Sequence, residues 1–228
     1  MFVMTLRDRS ARFVLESVHA RRVRRRSNPE ESPTMSSTDS PAPRILAFAG
    51  SLRRDSFNKK LVRLAARGAE QAGAMVTLVD LADYPLPVFD EDLEARGTPE
   101  SATRLKRLFL DHQGLLIATP EYNGSLPAAL KNALDWVSRR AEGEPRLAAF
   151  QGKTAAVVSA STGVFAGVRS QHHLRAILNH VGVNVLGQTV MLGEAGSAFD
   201  PQGELLDADT QARTLAVGSA LARVLRKD

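Results

Sequence analysis

From Arg44 onward, short apolar runs alternate with stretches of helical period, and this alternation restricts the chain more than any other feature. The runs are ILAFAG (45–50), MVTLVD (75–80), GLLIAT (114–119), TAAVVSA (154–160) and a weaker VNVLGQTVM (183–191). GLLIAT is apolar on both of its faces from Leu115 to Ala118, as a strand with helices above and below must be. Between the runs, Phe57, Leu61, Leu64 and Ala65 recur at helical spacing, and Thr98-Pro99 opens a helix through Leu105, Leu108 and Phe109. A third helix carries Leu126, Leu130, Ala133, Leu134 and Val137 on one face, with Ser125 as its N-cap and Pro127 near its first turn. A fourth spans about 167–181, and the last about 209–226 with Leu215, Leu221, Val224 and Leu225 apolar. Five β–α units of this kind predict an α/β fold, a doubly wound five-stranded parallel sheet of strand order 2-1-3-4-5 with helices on both faces.

The bulk properties narrow the function classes. An apolar fraction of 43% over 228 residues supplies the core of one domain, and the sequence contains no apolar run of the length a membrane span needs. Cysteine is absent, which removes disulfides, thiolate metal sites and thiol nucleophiles and fits a reducing, cytoplasmic setting. The net charge of +5 invites a nucleic-acid reading, but its location argues against one. Residues 1–44 hold nine Arg against five acids, so +4 of the +5 sits there and the remainder is nearly neutral. Residues 1–43 pass from a basic block to a Ser-, Pro- and acid-rich tract that cannot bury enough apolar surface to order itself. They are expected to be a disordered extension, or to precede a true initiator at Met35, with the folded domain spanning 44–228.

In the predicted strand order, the loops after strands one, three and four converge at one end of the sheet. All three are rich in small residues. In GSLRRDSFNKK (50–60), Gly50 allows a tight turn, and Ser51, Ser56 and Asn58 supply short donors where a helix N-terminus favours an anion. Arg53 adds a guanidinium suited to phosphate. There is no G-x-G-x-x-G, and the GKT at 152–154 fails as a P-loop because position 147 is Leu. In PEYNG (120–124), Pro120 stiffens the strand exit and Asn123-Gly124 predicts a turn with positive φ, a loop able to line a flat ring that Tyr122 flanks and Asn123 bonds. SASTGVFAGVRSQ (159–171) can close the other side.

These segments, G-S-L-R-R-D-S-F-N, T-P-E-Y-N-G-S-L-P-A-A-L-K-N-A-L-D-W and S-T-G-V-F-A-G-V-R-S-Q, resemble the NADPH-dependent FMN reductase family of flavodoxin-like enzymes, which includes bacterial chromate, quinone and azo-dye reductases. The resemblance covers about residues 44–225. It implies FMN as cofactor and NADPH or NADH as co-substrate. Ser51, Arg53, Ser56 and Asn58, with Phe57 between them, would hold the phosphate. Pro120, Glu121, Tyr122, Asn123 and Gly124 would contact the isoalloxazine, and Ser161, Thr162 and Gly163 would border it. The flavin carries the chemistry, so no acid–base side chain is obligatory and Tyr122 and Asn123 are supporting residues. The expected reaction is hydride transfer from NAD(P)H through FMN to a quinone, azo, metal-oxyanion or flavin acceptor by a ping-pong mechanism. The alternatives are a flavodoxin-like electron carrier and a non-catalytic flavin-binding regulatory module.

The remaining clusters carry bland expectations. His172-His173 are adjacent and do not make a metal site, and DEDLE (90–94) reads as a solvated loop. Relatives of this kind pair through the region after strand two and the helix near Ser125, so Tyr84, Leu86, Pro87, Val88 and Phe89 are expected at an interface of a homodimer or homotetramer.

Overall fold

The computed structural model describes residues 41–226, and the expectations for residues 1–40 lie outside that range. Strands β1 (Arg44–Ala49), β2 (Met75–Asp80), β3 (Gly114–Ala118), β4 (Thr154–Ala160) and β5 (Asn184–Val185) form a parallel sheet in the order β2-β1-β3-β4-β5. That is the flavodoxin-like order the β–α pattern predicts. Helices α1 (Phe57–Gln71), α2 (Glu91–Ala95), α3 (Glu100–Asp111), α4 (Ala128–Ser138), α5 (Val168–His180) and α6 (Ala208–Leu225) provide the connections and cover both faces.

The two faces differ because successive strand residues point to opposite sides. Ile45, Ala47, Ala49, Ala118, Ala156, Val158 and Ala160 meet α1 and α6 on one side. Leu46, Phe48, Leu115, Ile117 and Val157 meet α3, α4 and α5 on the other. The alanine-rich face lets its two helices lie low over the sheet and against each other. A Cβ at Gly218 of α6 would fall 1.8 Å from the Ala65 carbonyl oxygen of α1, so the helices touch backbone to backbone there.

Three expectations change. The run at 183–191 is two short strands, β5 and β6 (Met191–Leu192), both paired with β4. The ladder lapses between them because the Thr189 hydroxyl, rather than a backbone N–H, donates to the Val157 carbonyl at 2.5 Å. DEDLE contains the single-turn helix α2: Asp90 Oδ1 accepts from the N–H groups of Asp92 and Leu93, and Glu94 pairs with Arg139 at 2.9 Å. Ser125 is not the cap of α4. Pro127 occupies that position, while Ser125 closes a turn with Tyr122. In the segment after β2, Phe89 packs edge-on against Trp136 at 5.0 Å, and Asn132 grips the backbone on both sides of Val88.

Candidate flavin site at the carboxyl ends of three strands

The ladder sets Ala49 of β1 beside Ala118 of β3, and Ala118 beside Val158 of β4. Gly50 N continues the pairing to the Ala118 carbonyl at 2.8 Å, and Thr119 N to the Val158 carbonyl at 2.9 Å. The three unusual loops therefore leave the sheet abreast, about 5 Å from strand to strand. Gly50 is needed here for close approach: a Cβ on it would lie 2.8 Å from Leu130 Cδ2 of α4.

The first loop ends in an open helix N-terminus. Ser56 is the N-cap of α1 by backbone position, yet its buried side chain makes no capping bond, and the first turn contains no acid. Among the described residues, the N–H groups of Phe57, Asn58 and Lys59 find no protein acceptor, and Lys60 N is the first to bond, to the Ser56 carbonyl at 3.2 Å. Arg53 and Arg54 are exposed beside it, with neither guanidinium in an ion pair within that range. Free N–H groups, a helix dipole and two unpaired cations make an anion site. Ser51 lies buried under the loop, its Oγ accepting from Arg53 N at 3.3 Å. Phe57 and Asn58 also make scaffold contacts. Phe57 stacks on Phe199 at 6.1 Å. Asn58 Nδ2 donates to the Ala160 carbonyl at 2.8 Å and its Oδ1 accepts from Ala160 N at 2.9 Å, fastening α1 to the end of β4. One amide hydrogen of Asn58 is left for a ligand.

The second loop is a tight hairpin. Asn123 and Gly124 have φ of 50° and 77°, and Tyr122 and Ser125 exchange N–H···O bonds of 3.0 and 3.1 Å. Positive φ at both central residues is the type I′ turn for which Asn-Gly is the preferred pair. Tyr122 and Asn123 are exposed at its tip. Its base is bolted to α5: the Ser170 hydroxyl donates to the Pro120 carbonyl at 2.7 Å and meets Thr119 Oγ1 at 2.6 Å, while Ser125 Oγ meets His173 Nδ1 at 2.9 Å. Glu121 turns inward, its side chain only 6% exposed. Its Oε2 accepts from Arg169 N at 3.1 Å, and its Oε1 from Arg169 Nε at 2.7 Å and also from Arg169 Nη2. Burial pushes the Glu121 carboxyl up, but the Arg169 and Ser170 hydrogen bonds and the Arg169 charge outweigh it and hold its pKa below the ordinary value.

The third loop is pinned at both ends and open in the middle. Ser161 N donates to Leu192 O, Ser159 Oγ to Ala166 O at 2.5 Å, and Gln171 ties Ser159 Oγ to Val190 O. Thr162 and Gly163 are exposed, and Gly163 N reaches Ser161 Oγ at 3.2 Å. The structure thus gathers Ser51, Arg53, Ser56, the 120–124 hairpin and Ser161–Gly163 at one end of the sheet.

Residues 43–197 match the family model described as NADPH-dependent FMN reductase. The chain belongs to that family. It is 41% identical to a NAD(P)H-dependent FMN reductase of Pseudomonas aeruginosa over 165 residues, 72% of this chain and 85% of the other. It is 36% identical to an NADPH:quinone oxidoreductase of Arabidopsis thaliana over 179 residues, 76% of this chain and 87% of the other. Among solved structures, a flavoenzyme NAD(P)H:(acceptor) oxidoreductase from Paracoccus denitrificans superposes with a TM-score of 0.69 at 31% identity, covering 80% of this chain and 97% of the other. Membership makes this protein an oxidoreductase whose family uses FMN and NAD(P)H.

The donor chemistry suits that cofactor. The open α1 N-terminus is of a size for one phosphate, and the N–H groups of Asn123, Gly124, Thr162 and Val164 bond to nothing within the described residues and are free to donate. Sequence reasoning missed the fasteners Thr119, Arg169 and Ser170. Arg169 lies 48 residues from Glu121, and nothing local in either stretch points to the other.

Proposed function

We propose that this chain is an NAD(P)H-dependent flavin enzyme that reduces quinone-type acceptors by a ping-pong mechanism, with FMN held across its three loops. The observation that carries the reading is the set of uncapped N–H groups at the start of α1, two strands away from a pinned loop with a tight hairpin between them. Bound there, FMN would supply hydride transfer between NAD(P)H and an acceptor that use the same place in turn. Ser51, Ser56 and the α1 N–H groups bind the phosphate, and Arg53 or Arg54 neutralises it. The hairpin presents Tyr122 and Asn123 beside the ring, and the Asn123, Gly124, Thr162 and Val164 N–H groups steady negative charge at its polar edge.

The mouth favours a flat apolar acceptor over a hydrated oxyanion, because Leu52, Tyr122, Val164 and Phe165 leave large apolar surfaces exposed around it. The segment from Tyr84 to Phe89, with the helix that follows the hairpin, supplies the contact for the proposed homodimer or homotetramer. No helix among the described residues is long and apolar enough to cross a membrane. The proposed location is the cytoplasm, where reduced nicotinamide nucleotide is at hand.

The test is visible absorption after FMN addition and desalting, followed by anaerobic NADPH and then a quinone. Retained flavin that bleaches and recovers supports the reading. Retained flavin that stays oxidised makes the protein an electron carrier, and a colourless protein defeats the flavin assignment.

A further inference from the structure

The Arg169 side chain touches both loops assigned to the ring. Its guanidinium holds Glu121 at the base of the hairpin through Nε and Nη2. It also runs beneath the turn itself, since a Cβ at Gly124 would lie 3.8 Å from Arg169 Nε and 3.9 Å from its Cδ and Cζ. On its other side the Phe165 ring of the third loop lies with its centroid 5.0 Å from the guanidinium carbon. Phe165 is 64% exposed, so this cation–π contact supplies an attachment that burial does not. The backbone joins in: Arg169 N and Ser170 N, at the start of α5, both donate to Glu121 Oε2. Glu121 thereby fills the anion site of α5 that the free N–H groups of α1 leave open.

We propose that Arg169 is a positioning residue that sets the 120–125 hairpin and the 162–166 loop at a fixed separation, and that Glu121 cancels its charge so that the ring between those loops meets no net cation from this pair. The proposal rests on the flavin reading above. Its consequences are of two kinds. Loss of the guanidinium lets the two loops drift, which weakens the grip on the ring and leaves the phosphate site intact. Loss of the carboxylate charge alone, with shape retained, exposes a cation near the ring and favours the electron-rich reduced flavin.

The experiment compares wild type with Arg169→Ala, Arg169→Lys and Glu121→Gln. It reads dissociation constants for FMN and riboflavin by fluorescence titration, the midpoint potential of the bound flavin, and thermal unfolding of the flavin-free protein. Arg169→Ala is expected to weaken FMN and riboflavin by the same factor, about ten-fold, because only ring contacts change (~1.4 kcal/mol). Arg169→Lys keeps the charge but loses the two-pronged bond and is expected to recover only part of that loss. Glu121→Gln is expected to raise the midpoint potential and Arg169→Ala to lower it relative to Glu121→Gln. A role confined to holding the fold together moves unfolding temperatures and leaves the two potentials alike. Unchanged flavin affinity in Arg169→Ala with wild-type FMN binding intact overturns this inference alone, as do equal potentials in folded Glu121→Gln and wild type. A wild-type protein that binds no FMN overturns the flavin reading and this inference with it.

Discussion

Replacing Asn58 by Ala tests whether that residue is chiefly a fastener. The Asn58 side chain is buried, the residue being 3% exposed, and spends its oxygen and one hydrogen on the backbone of Ala160, itself 3% exposed. The alanine variant leaves the Ala160 N–H and C=O groups without partners. Each unsatisfied buried group costs about 1–3 kcal/mol, and water entering the vacated space recovers part of it, so a net loss of about 2–4 kcal/mol is expected. For a domain of this size that corresponds to a fall of roughly 5–15 °C in Tm. Urea denaturation of the flavin-free protein is the assay, because bound FMN adds stability by mass action and would mix two effects. The isosteric Asn58→Asp sharpens the reasoning. It retains an acceptor for Ala160 N–H but sets a carboxylate oxygen against the Ala160 carbonyl, now bridged by a 2.8 Å hydrogen bond. Burial and that carbonyl raise the folded-state pKa of the new carboxyl above its unfolded value. Its penalty relative to wild type is therefore full at neutral pH and shrinks as pH falls through the raised pKa, where the protonated group can donate again. A change under about 0.5 kcal/mol for Asn58→Ala, the usual range for surface substitutions, refutes the fastener argument. So does a pH-independent deficit in Asn58→Asp.

Ser56→Ala is expected to do the reverse: its hydroxyl makes no capping bond, so stability should move by less than about 0.5 kcal/mol while FMN affinity, read by fluorescence titration, falls about five- to ten-fold for the loss of one phosphate donor. Gly218→Ala should cost at least about 3 kcal/mol, since its Cβ would meet the Ala65 carbonyl oxygen at 1.8 Å and force α6 off α1; chemical denaturation measures it. Glu121 has a folded-state pKa below its ordinary value, so its contribution is present above the unfolded pKa of about 4.3 and is lost as pH falls through the folded value. The stability gap between wild type and Glu121→Gln, followed by urea midpoints from pH 6 downward, should accordingly close in acid.

The sheet was legible because its signal is local. Four apolar runs bounded by helical periods define β1 to β4, and the Asn123-Gly124 pair announces a turn whose φ angles follow from residue type. The misreadings came where one local pattern serves two structures. Ser125 before Pro127 suits an N-cap as well as a hairpin closer, and only the Tyr122–Ser125 pairing decides between them. The acidic run at 90–94 has no apolar period, so its single turn is signalled only by the Asp90 cap, and the Arg139 that pairs with Glu94 lies 45 residues away. The fasteners of the site are non-local in the same way: Asn58 finds Ala160 across 102 residues.

The helices that follow β1, β3 and β4, which are α1, α4 and α5, begin at the ligand end of this sheet, and they are treated differently. The N-terminus of α5 is filled by the protein's own carboxylate, Glu121. That of α4 lacks a side-chain cap, but the cation of its first turn, Lys131, is already engaged by Asp135. Of the three, and among the described residues, α1 alone combines unpaired N–H groups with a serine free to donate and arginines without partners. A ligand that spans these loops therefore finds a single strong anion site at one margin and uncharged backbone donors over the rest. That distribution suits a flat ring system carrying one terminal phosphate, which is the shape of FMN.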